Sequence, residues 1–185
     1  MRRARHPRLA LCLVALLALP LYAQTHTGAL TDREIEQVRD SRYIPNDAIL
    51  LFVKFLDARV ERIDRLYAKP RRPGREQDTR DLLEEFTSIC DELADNLDDY
   101  APRHADLRRA LPRLVDASER WETAIKSPPD NDVYSVSRKI ALESIHDLRE
   151  AATQLSTDQQ AWFKAHPPGK EKNKQEETDV IDIPH

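Results

Sequence analysis

The sequence predicts an all-α protein: an antiparallel up-down-up-down four-helix bundle with a short N-terminal helix and a disordered C-terminal tail. Three observations carry that expectation. The 185 residues hold only 3 glycines against 12 prolines. Doubly wound sheets, phosphate loops and tight hairpins need glycine where φ is positive or backbones approach closely, so these architectures are disfavoured. Second, 34% of the residues are charged, which suits exposed helical faces. Third, breakers cluster at Lys69-Pro70-Arg71-Arg72-Pro73-Gly74, Ala101-Pro102, Ser127-Pro128-Pro129-Asp130 and Pro167-Pro168-Gly169, and long periodic segments lie between them.

Residues Met1 to Arg8 contain four arginines and no acid, and Leu9 to Leu21 form an apolar run of 13 residues ending near Ala23. A basic start, a short apolar stretch and a small residue make a secretory signal pattern, with cleavage expected after Ala23. The run falls short of the about 20 residues a transmembrane helix needs. Cys12 lies within the run behind Leu11, a poor lipid-attachment setting, so no stable membrane anchor is expected. The expected location is extracytoplasmic, periplasmic or secreted.

Four leader arginines leave 25 of the 29 Lys+Arg against all 33 Asp+Glu, a net charge of −8 for the mature chain. An acidic surface repels nucleic-acid backbones and anionic lipid. Cys90 is then the sole thiol, without an internal disulfide partner.

The expected domains are the leader (1–23), an N-terminal segment (24–45), the bundle (46–166) and the tail (167–185). In the N-terminal segment, Thr31-Asp32-Arg33-Glu34 reads as a capping box opening a short helix to about Asp40, with Ile35 and Val38 docking on the next helix. The first long helix, 46–68, carries the seam Ile49, Val53, Leu56, Val60, Ile63 and Tyr67, with Leu51, Phe55 and Leu66 on a second flank. The second, 76–100, has Leu82, Phe86, Ile89 or Cys90, Leu93, Leu97 and Tyr100.

The third segment, 103–126, places Leu107, Leu111, Leu114, Ser118, Trp121 and Ile125 on its seam. Pro112 lies inside it and should kink or break it. The fourth, 131–166, offers Val133, Ser137, Ile140, Ser144, Leu148, Ala151 and Leu155. A fresh capping box at Ser156-Thr157-Asp158-Gln159 should interrupt it. Short links imply that successive helices pack antiparallel. The polar stretch from Gly169 to His185 should be disordered.

The chain carries little that resembles a site for chemistry. One Glu-x-x-His occurs, at Glu143 and His146, and the expected seam places His146 toward solvent. Of the other histidines past the leader (His26, His104, His166 and His185), only His104 lies near a seam. No metal or cofactor is therefore expected. Cys90 sits on an apolar face, where burial raises a thiol's pKa and silences it. Ser118, Ser137 and Ser144 read as small residues that let helices approach, or as a small polar core pocket. No catalytic constellation emerges, so an enzyme is not expected. Leu30-Thr31-Asp32-Arg33-Glu34 and Leu155-Ser156-Thr157-Asp158-Gln159 resemble degenerate copies of the Leu-Thr-x-x-Gln motif of small exported stress chaperones and metal-responsive regulators, over about ten residues. Both also read as capping boxes.

The function these features favour is protein–protein interaction by an exported helical bundle, with a homodimer among the options. The expected contact surfaces are Leu51, Phe55 and Leu66, and the pair Trp162-Phe163. The alternatives are a small-ligand carrier with a pocket opened by Pro112 and lined by the three serines, or a chaperone-like holdase.

Overall fold

A computed structural model describes residues 28–167. The expected leader and cleavage site, and the tail from residue 168, lie outside the described residues. Five helices follow in order: α1 (Asp32–Ser41), α2 (Pro45–Ala68), α3 (Arg75–Tyr100), α4 (Leu111–Lys126) and α5 (Ser135–Ala165), with no strand among the described residues.

The first three starts have local causes. Thr31 opens α1 with a complete capping box: its hydroxyl accepts from the Glu34 N–H at 3.3 Å, and the Glu34 carboxylate accepts from the Thr31 N–H at 2.8 Å. Pro45 begins α2, where its missing donor costs nothing. Gly74, with φ 82°, turns the chain into α3 through a left-handed conformation that a side chain would strain.

Pro112 does not lie in a helix interior. It sits in the first turn of α4, which begins at Leu111, so the expected third segment is shortened to its C-terminal part. Residues 101–110 instead form a loop, and His104 takes a positive φ of 49° within it. Two amide side chains satisfy this loop's backbone. Asn46 donates to the Asp106 carbonyl at 2.6 Å and accepts from the Ala110 N–H at 2.9 Å. Gln159 accepts from the Leu107 N–H at 2.9 Å and donates to the Ala105 carbonyl at 2.7 Å. Leu107 and Ala110 are buried within this otherwise largely exposed loop, and the backbone groups around them are paired in this way. Gln159 is therefore an inward-facing residue of an unbroken α5, and no helix start occurs at Ser156.

Helices α2 and α5 each pack against both α3 and α4, while α1 packs on α2. The backbones of α3 and α4 do not approach one another, contrary to the expectation that successive helices pack side by side. The loop 101–110 separates them. Their side chains do meet across the core, where the Phe86 ring lies edge-on to Trp121 at 5.6 Å. The Trp121 indole N–H reaches out to the Asp57 carboxylate at 2.6 Å.

The seams expected for α2, α3 and α4 are buried, apart from the half-buried Tyr67. Leu107 belongs to that core from the loop rather than from a helix. On α5 the expected seam is corrected. Its buried face is Ser137, Arg138, Ala141, Ile145, Leu148, Ala152 and Gln159, whereas Val133, Ile140 and Ala151 are exposed. The buried face is rotated from the expected one by about 70° at 100° per residue. Ile35 on α1 is likewise exposed. Val38 and the preceding Leu30 make the docking contacts instead.

Candidate functional site

The polar groups buried between helices act first as ties. Arg59 of α2 is 4% exposed. Its guanidinium donates to both oxygens of Glu34, to Glu85 at 3.2 Å and to the Ala29 carbonyl at 2.7 Å. Burial alone would raise the Glu34 carboxyl, but the hydrogen bonds from Arg59 and the Thr31 N–H outweigh it and hold the group at about 2. This one arginine fastens the N-terminal segment to α2 and α3.

At one end of the molecule the Tyr67 hydroxyl donates to the Tyr134 oxygen at 3.0 Å and accepts from Thr79 at 3.3 Å. Tyr134 in turn donates to the Pro129 carbonyl. Burial and the Tyr67 hydroxyl push the Tyr134 phenol well above its ordinary value. Arg138 closes the neighbouring loop by donating to the Pro128 and Pro129 carbonyls at 3.0 and 3.1 Å. Every one of these groups ends on a protein partner.

The residues expected to form surfaces or pockets are dispersed. Phe55 is buried and packs edge-on against Phe52, while Leu51 and Leu66 are half-buried. Trp162 is flanked on both faces by imidazoles, His104 at 3.6 Å and His166 at 3.7 Å, and Arg108 lies over the Phe163 ring at 4.1 Å. Their aromatic faces are thus largely occupied within the chain. The three serines do not converge. Ser118 is buried on α4, donates to the Val115 carbonyl at 2.7 Å and accepts from Arg149 at 2.9 Å. Ser137 donates to Glu84 of α3 at 3.1 Å, and Ser144 turns back to the Ile140 carbonyl at 3.2 Å.

Cys90 is free and buried, with its thiol pushed up mainly by that burial. Glu143 and His146 are exposed. Among the described residues no group of three or more His, Cys, Asp or Glu is placed to hold a metal ion. Nor is any described helix long and apolar enough to cross a membrane.

What stands out instead is an apolar stripe on α5 and the turn before it. Val133, Val136 and Ile140 are 46%, 69% and 45% exposed, at helical spacing on one side. They border a groove whose opposite wall on α3 is Arg80, Glu84, Thr87 and Ser88, with Ser137 at its floor. Val133 and Ile140 read as core from sequence because they continue a heptad, and Val136 falls off that heptad altogether. Only the placement of α3 against Ser137 shows that the three share an uncovered edge. No protein-family model, no curated protein and no solved structure matches this chain.

Proposed function

We propose that the mature chain is an extracytoplasmic, non-enzymatic helical bundle that acts by binding another protein through the α5 stripe beside α3. The observation that carries this reading is the exposure of three β-branched side chains in one row along a groove between α3 and α5. A stripe of this kind on a charged surface marks a contact site. The acidic balance of the mature chain disfavours nucleic acid. The basic, then apolar, start of the chain favours export.

The bundle itself we read as up-down-up-down. Tyr67 near the end of α2 meets Thr79 near the start of α3, which fits antiparallel neighbours. Arg149 of α5 meets Ser118 and Glu122 of α4, which fits the same relation there. Glu84 in the first half of α3 bonds Ser137 near the start of α5, which fits those two neighbours running in one direction.

The test is native mass spectrometry of the mature protein recovered from its own exported fraction, for the wild type and for Val136→Asp. The expected result is a second polypeptide retained by the wild type and lost in the variant, with unchanged helical circular dichroism. A wild type that travels alone, or one that carries only a small-molecule adduct, overturns the reading.

A further inference from the structure

The acidic net charge of the chain conceals an uneven distribution. From Arg65 to Arg75 the sequence carries Arg65, Lys69, Arg71, Arg72 and Arg75 and no acid, whereas from Asp81 to Pro102 it carries eight acids and no lysine or arginine. The fold turns that order into two ends. Residues 68–74 form the exposed link between α2 and α3. Tyr67 meets Tyr134 beside it, so the α4–α5 link lies at the same end. Residues 65–80 and 126–139 of this end hold nine Lys+Arg against four Asp+Glu, and the other described residues hold 13 against 24. The molecule is thus cationic at one tip and strongly acidic elsewhere.

Helix stability does not account for this placement. Arg65, in the last turn of α2, does suit the negative end of a helix dipole. Arg71, Arg72 and Arg75 instead lie at the N-terminus of α3, where the dipole disfavours cations. Ion pairs do not remove the excess either. Arg71 and Arg75 share the single Glu76 carboxylate at 3.1 and 3.3 Å, Arg72 pairs with Asp78, and Arg65 pairs with Glu61 at 3.3 Å. Lys69 forms no ion pair among the described residues. Arg71 and Arg72 are 72% and 60% exposed, and pairs this exposed are weak enough for a cation to exchange partners. Pro70 and Pro73 fix φ on either side of the two arginines, so the cations are held at the tip with less chain entropy left to lose.

We propose that this tip is a docking surface for the plane of an anionic bilayer, with Lys69, Arg71 and Arg72 set among lipid phosphates. A plane suits the arrangement better than a polyanionic strand or an acidic protein. It meets the tip alone, whereas a strand laid along α2 and α3 also meets Glu61, Asp64, Asp81 and Glu85. The tip does include Asp130 and Asp132, and Asp130 is paired with Arg138 at 3.3 Å. Asp91, the first of the distal acids of α3, lies about 24 Å along the helix from Arg75 at 1.5 Å per residue. That is about three screening lengths at physiological salt, so those acids do not oppose the contact. The same plane repels them when the molecule tips over, which orients the bundle end-on. The link 68–74 holds no aromatic or large aliphatic side chain, so the contact is peripheral and reversible, not an anchor. It is separate from the protein-binding role of the α5 stripe and does not rest on it.

The experiment sediments the full mature chain with vesicles of phosphatidylcholine alone or with about a third phosphatidylglycerol, at about 0.05 M and 0.5 M salt. The wild type should pellet with the anionic vesicles at low salt, about tenfold or more above the neutral ones, and should be released at high salt. Lys69→Glu, Arg71→Glu and Arg72→Glu together should weaken that partitioning about a hundredfold. Arg39→Glu, Arg103→Glu and Arg113→Glu together change the net charge equally. They lie at the opposite end, where Tyr100 reaches the Arg42 carbonyl and Asn46 holds Ala110. This variant, and Val136→Ser in the stripe, should bind within about threefold of the wild type. Helical circular dichroism checks that every variant is folded.

No preference for anionic vesicles at low salt overturns the inference. So does an equal loss in the two triple variants, which would make net charge the cause. A loss of binding in Val136→Ser would assign the contact to the apolar stripe and overturn it as well. Equally tight, equally tip-dependent binding of a single-stranded DNA oligonucleotide would mark a general polyanion site and overturn the assignment to a bilayer. A protein partner found by mass spectrometry without vesicle binding leaves the functional reading standing and removes this one.

Discussion

Helices α3 and α5 run side by side and carry similar heptad arithmetic, yet they use it differently. On α3 the positions at alternating steps of three and four (Leu82, Phe86, Ile89, Leu93, Leu97 and Tyr100) are all buried. On α5 and the turn before it, the same arithmetic picks Val133, Ile140 and Ala151, which face outward, together with the buried Ser137 and Leu148. The side chains that α5 does bury are mostly small or polar: Ser137, Arg138, Ala141, Ala152 and Gln159. An apolar seam is thus a capacity for burial, and the neighbours decide whether it is used. α3 receives neighbours on both flanks of its seam, from α2 and α5. α5 presents its small-residue face to α3 and α4 and leaves part of its larger apolar side at the groove.

The sharpest way to break this comparison is to truncate the α3 seam. Phe86 is fully buried and meets Trp121 of α4, although the backbones of the two helices do not approach. Phe86→Ala removes that bridge and leaves a cavity among side chains from several helices. The expected cost is about 3–5 kcal/mol. Urea unfolding followed by circular dichroism measures it, and a loss below about 1 kcal/mol would mean that the core collapses around the gap.

A second substitution examines what the polar positions of α5 contribute. Gln159 is buried and satisfies two backbone groups of the 101–110 loop. Gln159→Leu keeps the volume but leaves the Leu107 N–H and the Ala105 carbonyl without their partner. That should cost about 2–3 kcal/mol. Amide hydrogen exchange should localise the change, with Leu107 losing protection well before the core of α3. Uniform loss across the chain would instead mark Gln159 as a general packing residue.

These residues also show what was legible in the sequence and what was not. The helices and three of four seams were readable because apolar periodicity, proline and capping signals are local. Thr31 and Glu34 form the expected box because their spacing alone permits it. Pro112 was harder, since the apolar pattern through Leu107, Leu111 and Leu114 continues across the break. Leu107 is buried from a loop whose polar groups are met by Asn46 and Gln159, from segments 60 and 52 residues away. No local pattern encodes such pairings. Ser156-Thr157-Asp158-Gln159 misled for the same reason, as a residue read for a cap serves a distant loop. The candidate surface was least legible. Exposure of Val133, Val136 and Ile140 depends on where α3 lies, and Phe55, which marks a second flank on α2, is covered in the fold.

The smallest effect is expected where the heptad is exposed, and it sharpens the comparison most because the chemistry can be held constant on one helix. Ile140 and Ile145 differ by little more than one turn of α5, with Ile140 45% exposed and Ile145 fully buried. Ile145→Ala should cost about 2–5 kcal/mol. Ile140→Ala removes a half-exposed side chain at a position where alanine is the better helix former, so the two terms nearly cancel within about 0.5 kcal/mol. Measured by the same urea titration, near-equal losses would mean that Ile140 is buried in solution, by a second copy or by another part of the same chain. Repeating the titration over a hundredfold range of protein concentration separates those two, because only association between chains makes the midpoint depend on concentration. A negligible loss for Ile140→Ala alongside a large one for Ile145→Ala would leave the stripe open, free for a partner of different sequence.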